Sequence, residues 1–160
     1  MPWLDVANYV LVPNGILEGG RDWTLAGGAA SAPGNETYYV HGAGETRSLA
    51  LPRGSSATTA PVCVGLEHPT LRFFARNDGS VLSTLDVEVR FEDATGSVRS
   101  LLIGTLLGRP GWQPTPPLLV VANLLPLLPG ERTAVEFRFR PRGYGDWRID
   151  DVYLDPWRHG

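Results

Sequence analysis

The sequence contains no lysine, a single cysteine and no apolar run long enough to cross a bilayer. One cysteine excludes an internal disulfide, and we expect Cys63, in the apolar stretch 61–64, to be a buried and unreactive thiol. The most apolar stretch, 117–129, is short and interrupted by prolines, so no membrane partner is expected. Residues 1–5 show neither the basic nor the apolar segment of a signal peptide, which leaves the compartment unknown.

Positive charge is also scarce, because 14 arginines face 17 acidic residues and give a net charge of −3. Binding to nucleic acid depends on clustered basic residues, so no nucleic-acid partner is expected. The use of arginine alone has two interpretations. Arginine suits bidentate hydrogen bonding and stacking, and the same bias arises in GC-rich genomes.

Glycine and proline are frequent, with 19 and 14 residues spread between short apolar runs. That distribution is typical of strands joined by turns. Apolar and charged residues alternate over 85–92 and 135–140, which indicates half-buried antiparallel strands. Other strand candidates are 8–12, 23–25, 37–41, 47–51, 62–65, 70–77, 98–106, 118–122 and 147–154, with a helical turn near 122–125. About ten strands in one domain of residues 1–160 predict a β-sandwich or a barrel.

Several stretches carry a family resemblance through their order and spacing. They are 14–20 followed by Trp23, 38–42, 49–51, 71–77 and 147–154. Together they resemble the galactose-binding-like jelly rolls, the β-sandwich family that contains many carbohydrate-binding modules. Leu17 stands where members usually have phenylalanine, and it keeps an apolar anchor there. The resemblance implies an all-β fold, an antiparallel jelly-roll β-sandwich.

The resemblance also implies a structural calcium ion where the first and last strands meet. Glu18 and Asp151 match the family's side-chain ligands, and Asn14 is a further candidate ligand. A calcium ion needs several oxygen ligands and usually more than one carboxylate. In the alternative interpretation, these acids accept backbone N–H groups or pair with Arg21 or Arg148.

The last strand contains a break in its alternation that is independent of the resemblance. Ile149 and Val152 both look core-facing, yet they are three residues apart. Since side chains alternate in a regular strand, this spacing predicts a β-bulge between them. A bulge would aim Asp150 and Asp151 in different directions.

A saccharide ligand, as the resemblance implies, needs a flat aromatic side chain with polar groups beside it. Trp112 lies in a loop rich in proline and glycine, so we expect it to be the most exposed aromatic residue and the stacking platform. Tyr144, between two glycines, is similarly placed. Trp23 and Trp147 lie in predicted strands and are expected in the core.

The outward face of one sheet is a second possible binding site. Arg72 and Arg76 from one predicted strand and Glu88 from the next are expected to project there. In the alternative interpretation, the alternating charges are cross-strand pairs that keep a sheet soluble. Tyr38 and Tyr39 are adjacent in a predicted strand, so one is expected to face the core and the other solvent.

No catalytic motif is recognisable, and the three histidines have no metal-site spacing. We therefore predict a non-catalytic module that binds a saccharide or glycan. The alternative is a protein-interaction or assembly module on the same fold, with a possible homo-oligomer or protein partner. The apolar residues within 118–128 are either internal core or an exposed contact.

Overall fold

The computed structural model describes residues 9–19, 22–65, 70–120 and 132–155. Within these ranges the chain forms thirteen β-strands. They are β1 (Val10–Leu11), β2 (Thr24–Ala26), β3 (Ala30–Pro33), β4 (Arg47–Leu51), β5 (Ser56–Thr58), β6 (Val62–Val64), β7 (Thr70–Asn77), β8 (Thr84–Glu92), β9 (Val98–Leu107), β10 (Gln113–Pro114), β11 (Leu118–Leu119), β12 (Thr133–Arg142) and β13 (Trp147–Asp155).

The strands form two antiparallel sheets packed face to face. The seven-stranded sheet has the order β10-β7-β13-β4-β3, with β1 paired to β13 and β11 paired to β7. The six-stranded sheet has the order β2-β5-β12-β8-β9, with β6 paired to β12. This arrangement confirms the predicted jelly-roll β-sandwich. The predicted strands 47–51 and 70–77 coincide with β4 and β7, whereas the short strands β3, β5 and β10 were not predicted.

Some predictions fall on residues outside the described ranges. They are the helical turn near 122–125, the end of the strand 118–122 and the possible ion-pair partner Arg21. Among the residues that the structure describes, no helix is long and apolar enough to cross a membrane.

The core lies between the two sheets and is built from the alternating apolar residues. Val87 and Val89 of β8 and Phe137 and Phe139 of β12 are buried there. The ring of Phe139 meets that of Phe73, from the opposite sheet, edge to face at 5.1 Å. Trp23 and Trp147 are also buried in this core, as predicted.

Residues 37–41 do not form the predicted strand. The carboxylate of Glu36 accepts hydrogen bonds from the backbone N–H groups of Tyr38 and of Val40, the latter at 2.9 Å. Tyr39 has a left-handed backbone conformation with φ 53°. Since this local hydrogen bonding replaces a strand ladder, Tyr38 and Tyr39 are both exposed, and the prediction that one faces the core is wrong.

Cys63 is exposed, so the prediction of a buried thiol is wrong. It is the central residue of the three-residue strand β6, and Val64 beside it is fully buried. Because side chains alternate along a strand, burying Val64 directs Cys63 outward.

The last strand, β13, pairs with β1, β4 and β7 and contains the predicted bulge. Its register with β7 shifts between Asp150 and Tyr153. Asp151 adopts φ 47° at that point. The bulge restores the parity of the strand, so that Ile149 and Val152 both face the core.

The first described segment is fastened to this bulge by backbone hydrogen bonds. Val12 N–H donates to Val152 O at 3.0 Å, and Val152 N–H donates to Gly15 O at 3.0 Å. The chains approach so closely that a Cβ atom on Gly15 would lie 2.6 Å from Val152 O. Only glycine fits this position without a shift of the backbone.

We predict that Gly15→Ala lowers the free energy of unfolding by about 1–3 kcal/mol, because the added methyl group overpacks against a backbone carbonyl. Chemical denaturation measures this change. The matched control is Gly44→Ala, where a Cβ atom has no neighbour within 4 Å; we expect a change within about 0.5 kcal/mol. Equal stability of the two variants would show that this junction does not limit stability.

Candidate functional site

The outer face of the seven-stranded sheet carries an unusual mixture of aromatic and cationic side chains. In β7, Phe73 points into the core and Phe74 points to the opposite face. Arg72 and Arg76 have the same parity as Phe74 and therefore share that outer face. The structure thus places two of the predicted ligand-binding residues on either side of a buried phenylalanine.

Tyr38 lies on this outer face and stacks on Phe74. The two ring centroids are 5.1 Å apart, with an angle of 28° between the ring planes. Phe74 is fully buried, whereas Tyr38 is 45% exposed. We call these two residues the Tyr38 platform, because the phenylalanine supports one face of the tyrosine ring and nearly half of the tyrosine surface is exposed.

Two successive hydrogen bonds to carboxylates hold the Tyr38 platform in place. Asp150 Oδ2, on the adjacent strand β13, accepts the backbone N–H of Glu36 at 3.0 Å. The Glu36 carboxylate in turn accepts the backbone N–H of Tyr38. Glu36 and Asp150 are both buried, so the position of Tyr38 depends on two groups that are shielded from water.

Arg76 and Arg148 lie directly opposite each other on β7 and β13, and we call them the arginine pair. The guanidinium of Arg76 is bound by Asp78, with its Nε 2.8 Å from Oδ1 and its Nη2 2.8 Å from Oδ2. Its Cζ lies 5.7 Å from the centroid of Trp112, at the distance of a cation–π contact. Asp78 and Trp112 thus hold Arg76 in place.

Arg148 is the less compensated member of the pair. Its Nη2 donates to Pro33 O at 2.6 Å, and its Nε is buried without a hydrogen-bond partner. Burial, followed by the like charge of Arg76, lowers the pKa of Arg148 from its ordinary value. This guanidinium is therefore held in a partly desolvated site beside a second cation.

Trp112 is only 8% exposed, so the prediction that it is the most exposed aromatic residue is wrong. It immediately precedes β10, which pairs with β7, and it packs beside Arg76. The loop composition suggested exposure because the two-residue strand β10 was not recognised. A contact between Trp112 and a ligand stays a prediction.

Tyr144 is exposed as predicted, with 72% of its surface accessible. It lies in the loop between β12 and β13, where Arg53 Cζ is 4.1 Å from its ring centroid. Its backbone carbonyl accepts the N–H of Ser80 at 3.0 Å. Tyr144 therefore lies in a loop at an end of the sandwich, apart from the pairing of Tyr38 with Phe74.

Glu88 lies on the other sheet, so the prediction of one face shared by Glu88, Arg72 and Arg76 is wrong. Its carboxylate accepts hydrogen bonds from Arg138 Nε at 2.8 Å and Ser100 Oγ at 2.8 Å. Burial raises the pKa of Glu88, but these bonds and the nearby arginine charges outweigh burial, so the net change is downward.

The cross-strand interpretation of the charged residues is confirmed on this six-stranded sheet. Arg90 Nη1 lies 2.9 Å from Glu136 Oε2, and Arg142 Nε lies 2.8 Å from Asp86 Oδ2. These ion pairs join β8 and β12, which are neighbours in the sheet. Arg90, Arg138, Arg140 and Arg142 on this face each pair with an acid.

Four carboxylates gather around the bulge of β13, and we call them the acid cluster: Glu36, Glu45, Asp150 and Asp151. Neither oxygen of Asp151 accepts a hydrogen bond of ordinary geometry, although its side chain is fully buried. The backbone N–H of His41 is near enough to act in the direction of a lower pKa. Burial, and then the charges of Glu45 and Glu36, raise the pKa of Asp151 to about 7. Burial is also the main cause that raises the pKa of Asp150 to about 8.

Two of the predicted calcium ligands, Glu18 and Asn14, make hydrogen bonds to other groups. Glu18 Oε1 accepts the backbone N–H groups of Thr46 at 2.5 Å and Arg47 at 2.9 Å, as the alternative interpretation expected. Asn14 Nδ2 donates to Asp22 Oδ2 at 2.5 Å. Within the described ranges, no three His, Cys, Asp or Glu side chains converge as a metal site.

A cavity of about 350 Å³ opens between the edge of β9 and the segment that contains β10. Its lining is mainly apolar, with Trp147 at one side and Arg109, Gln113 and Thr115 as polar members. None of the predicted site residues lines this cavity.

Comparisons with known proteins identify the fold and nothing narrower. No protein-family profile matches the sequence, and no curated protein is similar to it. Solved structures of carbohydrate-binding modules share the β-sandwich architecture of this chain. At sequence identities below 25% this similarity establishes the fold alone.

Three of these structures illustrate the similarity. The CBM22-1 xylan-binding domain of Paenibacillus barcinonensis Xyn10C has a TM-score of 0.63 and 11% identity, covering 97% of this chain and 98% of that one. The CBM22-1-GH10 modules of Clostridium thermocellum xylanase 10B, solved with xylohexaose, have a TM-score of 0.63 and 15% identity. The active domain of bacteriophage CBA120 tailspike protein 4 has a TM-score of 0.54 and 22% identity. The xylanase match covers 96% of this chain and 29% of the xylanase chain. The tailspike match covers 91% of this chain and 21% of the tailspike chain.

We predict that the free energy of unfolding, measured with a chelator present, falls as the pH rises from about 4 to about 8. Burial raises the pKa of Asp150 to about 8 and that of Asp151 to about 7, above the ordinary value of 3.8. Between these values the folded state holds protons that the unfolded state has lost, so raising the pH favours unfolding. Chemical denaturation at several pH values gives the free energy of unfolding as a function of pH. This dependence should be less steep for Asp150→Asn than for the unmodified protein. An unchanged slope in that variant would contradict the assignment.

Proposed function

We propose that this protein is a non-catalytic module that binds a saccharide on the outer face of the seven-stranded sheet. The observation that carries the proposal is the Tyr38 platform. Its exposed ring, stacked on a buried phenylalanine, offers a rigid flat surface to the apolar C–H face of a sugar. Ordering a ligand there costs little side-chain entropy, because the ring is already held.

Polar groups surround the platform on the same face. Arg72 and Arg76 each lie two residues from Phe74 along β7, or about 7 Å. Arginine offers several N–H donors in a fixed plane, which suits the hydroxyl groups of a sugar. An aromatic surface with hydrogen-bond donors at this spacing is what saccharide recognition requires.

The shape of the face favours an extended ligand that crosses the strands. Arg76 and Arg148 are followed across the sheet by Ala50 of β4 and Ala30 of β3, whose small side chains leave the surface open. The next row of the sheet, which contains Phe74 and Asp150, is covered by Tyr38 and Glu36. From β7 to β3 the open row spans three strand spacings, or about 14 Å.

The structural neighbours support this proposal through their fold. Two of them are described as xylan-binding or as solved with xylohexaose, and both have a TM-score of 0.63, over 97% and 96% of this chain. Xylan is therefore one reasonable first class of ligand to test, alongside other plant and microbial glycans.

We also propose that a calcium ion binds beside the bulge of β13, as the family resemblance implies. Asp151 fits this role, because both of its carboxylate oxygens are buried and accept no hydrogen bond of ordinary geometry. Glu45 Oε2 is a second buried oxygen of this kind. Glu18 and Asn14 fit less well, since Glu18 already binds two backbone N–H groups. The ion would neutralise the acid cluster and so support the segment that carries Tyr38.

Calcium is expected to raise the midpoint of thermal unfolding, since it binds the folded state only. The effect should increase as the pH rises through 7 and 8, because burial raises the pKa of Asp151 to about 7 and that of Asp150 to about 8, which keeps these carboxyls protonated at lower pH. Differential scanning fluorimetry with calcium or with a chelator measures the shift, and Asp151→Asn should remove most of it. An equal midpoint under both conditions would exclude the calcium site.

Tyr38→Ala should weaken binding to the best glycan of an array by about tenfold or more, because the stacking surface is removed. Since Tyr38 covers Phe74, its truncation should also lower the unfolding midpoint by about 2–4 °C, and the protein should remain folded at the assay temperature. Tyr144→Ala is the matched control, since it removes an exposed tyrosine from a loop at the end of the sandwich.

Two results would contradict the proposal. Loss of binding in Tyr144→Ala with full binding in Tyr38→Ala would move the site to the loop between β12 and β13. A folded protein that binds no glycan on the array would favour the assembly role. The exposed apolar side chains of Val81, Leu82 and Leu107 would then be the first contact surface to test.

A further inference from the structure

Arg148 is a cation without a carboxylate partner in the described part of the chain. Its Nη2 donates one hydrogen bond to Pro33 O, and its Nη1 lies close to Gly34. Its Nε is buried and donates to no acceptor. The charges of Asp78 and Asp150 act to raise the pKa of Arg148, but they do not outweigh burial and the charge of Arg76. A partly buried charge normally has a counter-charge, because desolvation is otherwise costly.

The neighbouring carboxylates are committed to other donors. Asp78 is bound by the guanidinium of Arg76 through both oxygens. Asp150 accepts the backbone N–H of Glu36 through Oδ2 and that of Asp151 through Oδ1. Neither acid forms a salt bridge with Arg148.

The neighbouring cation Arg76 adds like-charge repulsion at Arg148. Arg76 lies directly opposite Arg148 in the register of β7 and β13. Like charges directly opposite on neighbouring strands destabilise a sheet. In the other sheet, Arg90, Arg138 and Arg142 instead each form an ion pair with an acid of the neighbouring strand.

We propose that the arginine pair binds an anionic substituent of the saccharide, either a uronate carboxylate or a sulfate ester. This inference rests on the proposed function, because the same face must bind the sugar ring. Both anions accept several hydrogen bonds, and a planar guanidinium donates two in parallel. The anion would supply the counter-charge that Arg148 lacks.

The geometry places the two recognition elements within reach of one ligand. Phe74, under the Tyr38 ring, is two residues from Arg76 along β7, and Arg148 is on the adjacent strand. The separations are about 7 Å along the strand and about 5 Å across it. A sugar ring on Tyr38 can therefore direct an anionic group of the same or the next ring toward the arginine pair.

The test compares saccharides that differ only in the anion. Isothermal titration measures trigalacturonate against its methyl ester, and a sulfated galactan oligosaccharide against its desulfated form. We expect the protein to prefer one charged member by about tenfold or more over its neutral partner. The pair that shows the preference identifies carboxylate or sulfate as the anion.

Arg148→Gln should abolish the preference, so that the charged and neutral members bind equally, and Arg148→Lys, which keeps the charge, should retain part of the preference. Arg90→Gln is the matched control, because it removes a paired arginine from the opposite sheet. Thermal unfolding of each variant verifies that it is folded.

The outcomes separate this inference from the proposed function. Equal binding of charged and neutral saccharides by the unmodified protein would overturn the anion site and leave saccharide binding intact. A preference that persists in Arg148→Gln would also overturn it. If no saccharide binds at all, here or on the array, both proposals are wrong.

Discussion

The bulge in β13 is the feature on which the rest of the structure depends. This strand pairs with β1, β4 and β7, so it holds the centre of the seven-stranded sheet together. Its extra residue, Asp151, lets Ile149 and Val152 face the core while Asp150 reaches Glu36 on the outer face. The same strand therefore fixes the core, the junction with the first segment and the support of the Tyr38 platform.

Much of the fold follows from local patterns in the sequence. Alternation over β8 and β12 predicts strands because one face of each is buried against the other sheet. The three-residue spacing of Ile149 and Val152 predicts the bulge for the same reason. The short strands β3, β5 and β10 have two to four residues each, which is too few for alternation to be recognised.

The site was less predictable, because it depends on register and on loop conformation. That Arg76 faces Arg148, and that Glu88 lies on the other sheet, follows from strand order, which a single sequence does not encode locally. Trp112 is buried because β10 pairs with β7, although its loop is rich in proline and glycine. Tyr38 is exposed because the Glu36 carboxylate accepts hydrogen bonds from the backbone of its own loop. The composition of this loop resembles that of a strand, so the sequence alone predicts a strand there.

The most direct test of the central claim is a map of the ligand contacts on the folded protein. Titration of ¹⁵N-labelled protein with xylohexaose, and separately with trigalacturonate, reports which backbone amides change environment. For the saccharide that binds, we expect the amide chemical-shift changes to cluster at 36–40, at 72–76 and at Arg148. Shifts centred on Glu88 and Arg138 of the opposite sheet would contradict it.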